Sequence, residues 1–442
     1  MQSFIAIPRA ARYVLRNAGW LTATASGRAT GDAARGDIVI ADGRIASLGA
    51  GAPSPEDAPI IDLRGGLVLP GFVDAHTHLD KGHIWARTPN PDGTFLGAIT
   101  NVKIDREASW SREDVRARMD FALRCAYAHG TVAIRTHLDS LGPQADISWP
   151  LFKEMREEWR GRIDLQASAL FPFDLPLDDP AAFRLIVDHV VSAGGALGGV
   201  TYRGLPLKGR IEPALDIYFE TAKRHGLDLD FHADESDEAE ARSLEHIADA
   251  ALRHDFEGSV LCGHCCSLAL MDDEDRARVI DKLARARVAV VSLPMCNMYL
   301  QDRAPGRTPR WRGVTPLQEL AAGGVRAMVA SDNTRDPFYA YGDLDMLEVW
   351  REATRILHLD HPFAGHARMV SAIPAGVMGL EGRGELKPGA KADLVIVPAR
   401  SMNELFARPW RDRVVLRDGA AIDTTLPDYH ELDEQVLRRA SR

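Results

Sequence analysis

Eight short apolar runs punctuate the middle of the chain, at 66–78, 131–137, 163–171, 197–202, 227–232, 259–264, 288–293 and 326–332. Charge-rich stretches with helical spacing lie between them, including 112–128, 213–225, 238–254 and 273–284. Such alternation predicts parallel strands joined by crossover helices. An open, doubly wound sheet fits the alternation as well as a closed barrel does. The position of the chemistry separates the two. Five of the eight runs end on a histidine or an aspartate: His78, His137, His232, His264 and Asp332. In a closed barrel all strand ends meet on one face, where barrel enzymes carry their sites. The expected fold class is therefore α/β, a (β/α)8 TIM-type barrel, over residues 66–385.

The two ends read differently. Residues 37–48 place two alternating apolar runs around Asp42-Gly43, a hairpin signal. Residues 392–397 and 414–422 repeat it around Asp418-Gly419. The expectation is one small β-sandwich-like unit assembled from both termini, residues 1–65 and 386–442. Two unrelated β tails are the other reading.

Composition removes several classes of function. The 442 residues carry a net charge of −10 with no basic cluster, so nucleic acid is not an expected partner. No apolar run reaches the roughly eighteen residues of a membrane span. Residues 1–21 include Arg9, Arg12 and Arg16 and lack the continuous apolar core of a secretion signal. Five cysteines, an odd and clustered set, read as reduced thiols of a cytoplasmic protein. The expected partner is a small-molecule substrate, and self-association into a homo-oligomer is left open.

The sharpest local signal is Gly71-Phe-Val-Asp-Ala-His76-Thr-His78. Residues i and i+2 of a strand face the same side, so His76 and His78 can reach one ion together. The fifth run brings His232, the sixth His264 and the eighth Asp332. Two imidazoles from the first strand, one from the fifth and a carboxylate from the eighth suit a divalent metal, zinc or iron, with manganese also open. A coordination position left for water would make such a site catalytic. Glu235, three residues past His232, lies where a carboxyl group could shuttle protons between water and a leaving group. A solvated acidic turn is the plainer reading, since Asp234, Asp237, Glu238 and Glu240 are neighbours. Cys262-Gly-His-Cys265 has the spacing of a redox dithiol but sits in the sixth strand run, where buried, inert thiols are the simpler expectation.

These motifs, with Leu79-Asp-Lys81, Arg135-Thr-His137, His232-Ala-Asp-Glu235, Gly263-His264, Ser331-Asp332-Asn333 and 386–395, resemble the amidohydrolase superfamily. More narrowly they resemble its cytosine-deaminase branch, which also holds N-isopropylammelide-type aminohydrolases. The resemblance implies that His76, His78, His232 and Asp332 bind one divalent metal. It implies that Glu235 protonates a ring nitrogen, that His264 holds and polarises the attacking water, and that Asp332 accepts a proton from it. No lysine suited to bridging two metals ends the fourth run, which reads Gly199-Val-Thr-Tyr-Arg203.

Three positions depart from the cytosine enzymes. Phe173 stands where a glutamine follows Phe-Pro, Asn333 where a second aspartate follows Asp332, and Phe338 where tryptophan is usual. With Arg203, these three are the candidate substrate contacts, and Lys81 is a further residue near the pocket. The expected reaction is hydrolytic deamination of a small amino-substituted N-heterocycle, cytosine-like, with release of ammonia. Hydrolysis of an N-alkylamino triazine or cyclic amide at the same metal site is the runner-up. A barrel without activity, serving as a binding or assembly protein, is the reading from another class.

Overall fold

The computed structural model describes residues 4–21, 34–50, 57–201, 209–361 and 366–437. Arg203 and Tyr202 lie outside the described residues. Eight parallel strands form the barrel: β1 (Phe72–Thr77), β2 (Thr131–Asp139), β3 (Asp164–Leu170), β4 (Leu197–Val200), β5 (Leu229–Ala233), β6 (Val260–His264), β7 (Ala289–Ser292) and β8 (Ala327–Val329). Strands β4 to β8 pair in sequence order as one sheet, and β1 to β3 as another. Parallel bridges Ser168–Ala196 and Pro172–Val200 join the two sheets on one side. A bridge between Thr77 and Asp332 joins them on the other and closes the ring. Strands are buried along their whole length where they line the barrel, as in β2, β5 and β6. That burial explains why apolar residues dominate them, with polar side chains such as Arg135 and Asp230 paired inside.

Helices follow the strands as the spacing predicted. They run over Arg112–His129, Ile211–His225, Ser243–Arg253 and Asp273–Arg285. The third starts five residues later than expected, because residues 238–242 form turn and loop before it. A helix that the sequence reading did not single out, Phe95–Ser109, follows β1. It starts at Thr94, whose hydroxyl accepts the Gly97 N–H at 3.0 Å.

Strands from both ends of the chain share one further sheet. Its order is Ala420–Ala421, Val414–Arg417, Leu394–Val397, Leu67–Pro70, Arg12–Trp20, Ala34–Ala41 and Arg44–Gly49, with Ile60–Asp62 beside Arg12–Trp20. Alternate residues, Tyr13 and Leu15, Ile38 and Ile40, Leu394 and Ile396, supply one buried face. Both turn pairs hold positive φ, Asp42 and Gly43 at 50° and 75°, Asp418 and Gly419 at 45° and 75°. That is the two-residue hairpin turn whose twist matches its strands. By contacts the chain divides into two compact units. One takes Met1–Asp74, Arg124–Ala133 and Asp345–Leu426; the other takes Ala75–Leu123, Ile134–Leu344 and Pro427–Arg442. The second unit holds the C-terminal ends of all eight barrel strands.

The first run, 66–78, is two strands rather than one. Leu67–Pro70 pairs antiparallel with Leu394–Val397, and the chain turns at Gly71 before β1 begins. Gly71 donates to the Asp393 carbonyl at 2.8 Å, and Phe72 to the Gly130 carbonyl at 3.1 Å. A side chain at 71 would start 2.4 Å from Val132 Cγ1. Gly71→Ala is therefore expected to lower stability by about 1–3 kcal/mol, the usual cost of overpacking, read as a lower urea midpoint. Adding Val132→Ala should recover part of the loss. An unchanged midpoint in the single variant would show that the close approach is not a constraint.

Candidate active site

The strand period sets the first pair of ligands. His76 and His78 project to one side of the chain at the end of β1, and His232 meets them from β5. His78 Nε2 lies 3.3 Å from His232 Nε2 and 3.2 Å from Asp332 Oδ1, and His76 Nε2 lies 3.6 Å from the same oxygen. The edge of a tetrahedron of donors about 2.0–2.1 Å from zinc is about 3.3–3.4 Å. Three nitrogens and a carboxylate oxygen at these spacings suit one divalent ion. Two overlapping trios have ligand atoms within 4.8 Å of one another: His76, His137 and His232, and His76, His264 and Asp332.

Electrostatics favour the neutral, metal-ready form of each imidazole. Burial, then the neighbouring imidazoles, holds His76 well below the ordinary histidine range. Burial and the Lys81 ammonium do the same for His78. Burial, with the other histidines and Lys81, lowers His232, and burial with Lys81 brings His264 to about 3. Glu235 moves the opposite way. Burial, reinforced by the Asp332 carboxylate, raises its carboxyl well above the usual range, against the pull of Lys81 and a hydrogen bond from Asn297. A carboxyl held neutral is a proton donor.

Backbone strain occurs at these strand ends as well. His264, Cys265 and Asp332 hold φ of 69°, 52° and 62°, a region costing of order 1–3 kcal/mol for a non-glycine residue. Named hydrogen bonds fix these conformations. Cys265 N–H donates to the Ala233 carbonyl at 2.8 Å and Asp332 N–H to the His76 carbonyl at 2.8 Å. The hydroxyls of Thr315 and Thr77 donate to the carbonyls of His264 and Asp332. The acidic segment after β5 is only partly solvated: Asp237 and Glu240 are exposed, while Asp234 is buried. Asp234 is turned inward and accepts the N–H groups of Ser243 at 3.1 Å and Leu244 at 2.9 Å, binding the segment to the start of helix Ser243–Arg253. That anchor leaves Glu235 facing inward, its side chain 9% exposed.

A cavity of about 270 Å³ opens over these groups. His78, His232, Glu235 and His264 line its reacting end, and Phe95, Ile99, Val102, Phe171 and Phe338 form apolar walls. Asn333 lines it as well, its amide donating to Asp336 at 2.7 Å. Phe338 meets Phe95 edge to face at 5.6 Å, and Lys81 Nζ lies 4.6 Å from the Phe338 ring. Phe173 is not on the lining. Its ring stacks on Tyr218 at 5.2 Å and meets Phe231, and its N–H donates to Val200, so it belongs to the packed core. Phe171, two residues earlier, lines the cavity in its place.

Two further contributions surround the cluster. His137 on β2 lies 4.0 Å from His76 and 4.5 Å from His232, centroid to centroid. Its position at the end of an apolar run was the available signal. Below it, the buried Arg135 guanidinium pairs with Asp230 at 3.3 Å and with Gln166. The helix Phe95–Ser109 lines the cavity with Phe95, Ile99, Val102, Lys103 and Arg106, residues that fall on one face at helical spacing. All five cysteines are free and buried, and burial raises Cys262 and Cys265 well above the thiol range.

A parallel barrel that gathers neutral imidazoles and a carboxylate at its strand ends is a metal-hydrolase framework. The chain belongs to the amidohydrolase family, which matches residues 59–205 and 180–421, and is a hydrolase acting on C–N bonds. Its likeness to particular proteins spans almost its whole length. It is 54% identical over 438 residues to the pterin deaminase of Rhizobium rhizogenes, covering 98% of this chain and 99% of that one. The 5-methylcytosine deaminase of Klebsiella pneumoniae superposes with a TM-score of 0.80 at 25% identity, over 94% and 98% of the two chains. N-isopropylammelide isopropylaminohydrolase of Burkholderia multivorans gives 0.74 at 28%, over 95% and 100%. Among the described residues, no helix is long and apolar enough to cross a membrane.

Gly263 on β6 reports on this geometry. A Cβ there would lie 2.7 Å from His76 Cε1 and 2.9 Å from Nδ1. Gly263→Ala is expected to displace that ring and lower divalent-metal content, measured by elemental analysis, relative to the parent chain. Full metal content in the variant would mean that His76 is not needed at its present position.

Proposed function

We propose that this chain deaminates the pterin ring: water replaces the exocyclic amino group of a fused 2-amino-4-oxopyrimidine, and ammonia leaves. The observation that carries this reading is 54% identity across 98% of the chain to a pterin deaminase. The cavity supports it. Aromatic side chains at Phe95, Phe171 and Phe338 suit a flat heteroaromatic ring larger than cytosine.

In this reading His76, His78, His232 and Asp332 hold one divalent ion, with zinc, iron and manganese all compatible with the donors. Such an ion makes water nucleophilic near neutral pH. The protein's own groups do the rest. Glu235 gives its proton to the ring nitrogen beside the amino-bearing carbon while a C–O bond forms at that carbon. Asp332 and then Glu235 carry protons from the water to the departing nitrogen as the C–N bond breaks. One water proton ends on ammonia and one on the ring. His264 donates a hydrogen bond that orients the water oxygen, and Lys81 and Asn333 contact the polar edge of the ring.

Ammonia release should therefore be highest with pterin, lower with isocytosine and cytosine, and absent with N-alkylamino triazines. Cytosine as the best substrate by a wide margin, or alkylamine release from a triazine with pterin inert, would overturn the assignment. In a separate measurement, Glu235→Gln should lower kcat by ~10²–10⁴-fold, the range of a positioned acid–base group, with metal content unchanged. Near-normal turnover would place the proton shuttle on another residue.

A further inference from the structure

Asn297 belongs to no motif considered above, yet it touches both groups assigned to proton handling. It lies in the short helix Pro294–Leu300 that follows β7, and its side chain is fully buried. Its Nδ2 lies 2.9 Å from His264 Nδ1 and 3.1 Å from Glu235 Oε1. An amide nitrogen carries two N–H donors, enough for both partners at once. Its Oδ1 has no hydrogen-bond partner among the described residues.

Without this amide, a simpler pairing is available. His264 Nδ1 and Glu235 Oε1 are themselves 3.3 Å apart. A proton on Nδ1 would bond directly to the carboxyl oxygen, engaging the acid and leaving Nε2 bare. Asn297 makes both atoms acceptors, which keeps the proton off Nδ1. The neutral ring then carries its proton on Nε2. That nitrogen is buried, has no partner among the described residues, and belongs to a residue lining the cavity.

We propose that Asn297 is a positioning residue that sets the tautomer of His264, so that Nε2–H faces the cavity as a donor and Glu235 stays free to transfer protons. Two consequences follow. A histidine with hydrogen on Nε2 and an amide on Nδ1 has no lone pair free for a metal, which separates His264 from the imidazoles that hold the ion. The same amide ties the proton donor to the water-orienting group. The inference rests on the roles given to Glu235 and His264 above, but not on the identity of the ring.

The test is nitrogen-15 NMR of the histidine rings in the full chain loaded with zinc, with His264 assigned by the loss of its signals in His264→Asn. The parent protein should show His264 protonated at Nε2 and bare at Nδ1. Asn297→Asp, which keeps the shape but presents acceptors, should move the proton to Nδ1. It should also lower kcat on the best substrate found by ~10²–10⁴-fold, with KM and zinc content little changed. A proton on Nδ1 in the parent protein would overturn the proposal without any variant. An unchanged tautomer in a folded, zinc-loaded Asn297→Asp would overturn it as well, whatever happens to kcat. If no substrate is found, the tautomer readout still decides.

Discussion

One backbone contact governs the architecture of the site. Asp332 N–H donates to the His76 carbonyl at 2.8 Å, and Thr77 Oγ1 returns a bond to the Asp332 carbonyl at 2.8 Å. These two bonds pair the end of β8 with the end of β1 and close the barrel. They also place a carboxylate beside two imidazoles that are remote in sequence. Barrel closure and donor convergence are thus the same event, and neither can loosen without the other. The left-handed backbone at Asp332 is a cost of that geometry, and it is tolerated because the surrounding hydrogen bonds fix the conformation.

A comparable logic holds at β6. His264 and Cys265 both adopt positive φ at the strand end. The bend lets the His264 ring reach Asn297 and Glu235 while its carbonyl is held by Thr315. Glycine at 263 leaves room for the His76 ring against the strand. The thiol at 265 is fully buried beside the bend, where a charged side chain would be penalised. The C-x-x-C spacing is a by-product of this packing, with a histidine occupying the position between.

What the sequence made legible follows from periodicity. His76 and His78 alternate on a strand, so their shared face could be read directly. His232, His264 and Asp332 end apolar runs, and strand ends in a barrel share one rim. The same rule pointed to His137, whose neighbourhood with His76 needed the barrel's curvature to become visible. Other features depend on long-range partners that local pattern cannot supply. The run 66–78 divides at Gly71 because half of it pairs with Leu394–Val397, more than three hundred residues away. Phe173 looked like a cavity residue because it follows Phe171-Pro172, yet the Val200 pairing turns its ring onto Tyr218. Asn297 carried no signal of its own, because a buried amide acquires meaning only from the two groups it touches.

The molecule divides its labour between rigid and adaptable parts. His76, His78, His232, Glu235, His264 and Asp332 stand on barrel strands or within a few residues of them, where backbone pairing limits movement. The far walls come from elsewhere: one face of the helix Phe95–Ser109, the segment carrying Phe338, and Lys81. These can change side chains without disturbing the closing contact between Asp332 and His76. A small amide-reading pocket and a broader aromatic one can therefore sit over the same donors. In this chain the wall is apolar at Phe95, Ile99 and Val102 and becomes cationic toward Lys103 and Arg106. Arg106 is paired with Asp139 at 3.1 Å, which tempers that charge. Phe95 and Phe338 pack on each other edge to face at 5.6 Å, so together they form one apolar wall of the cavity rather than two sides of a slot. That wall sets the shape of what can enter the cavity, while backbone pairing fixes the imidazoles and carboxylates at the strand ends.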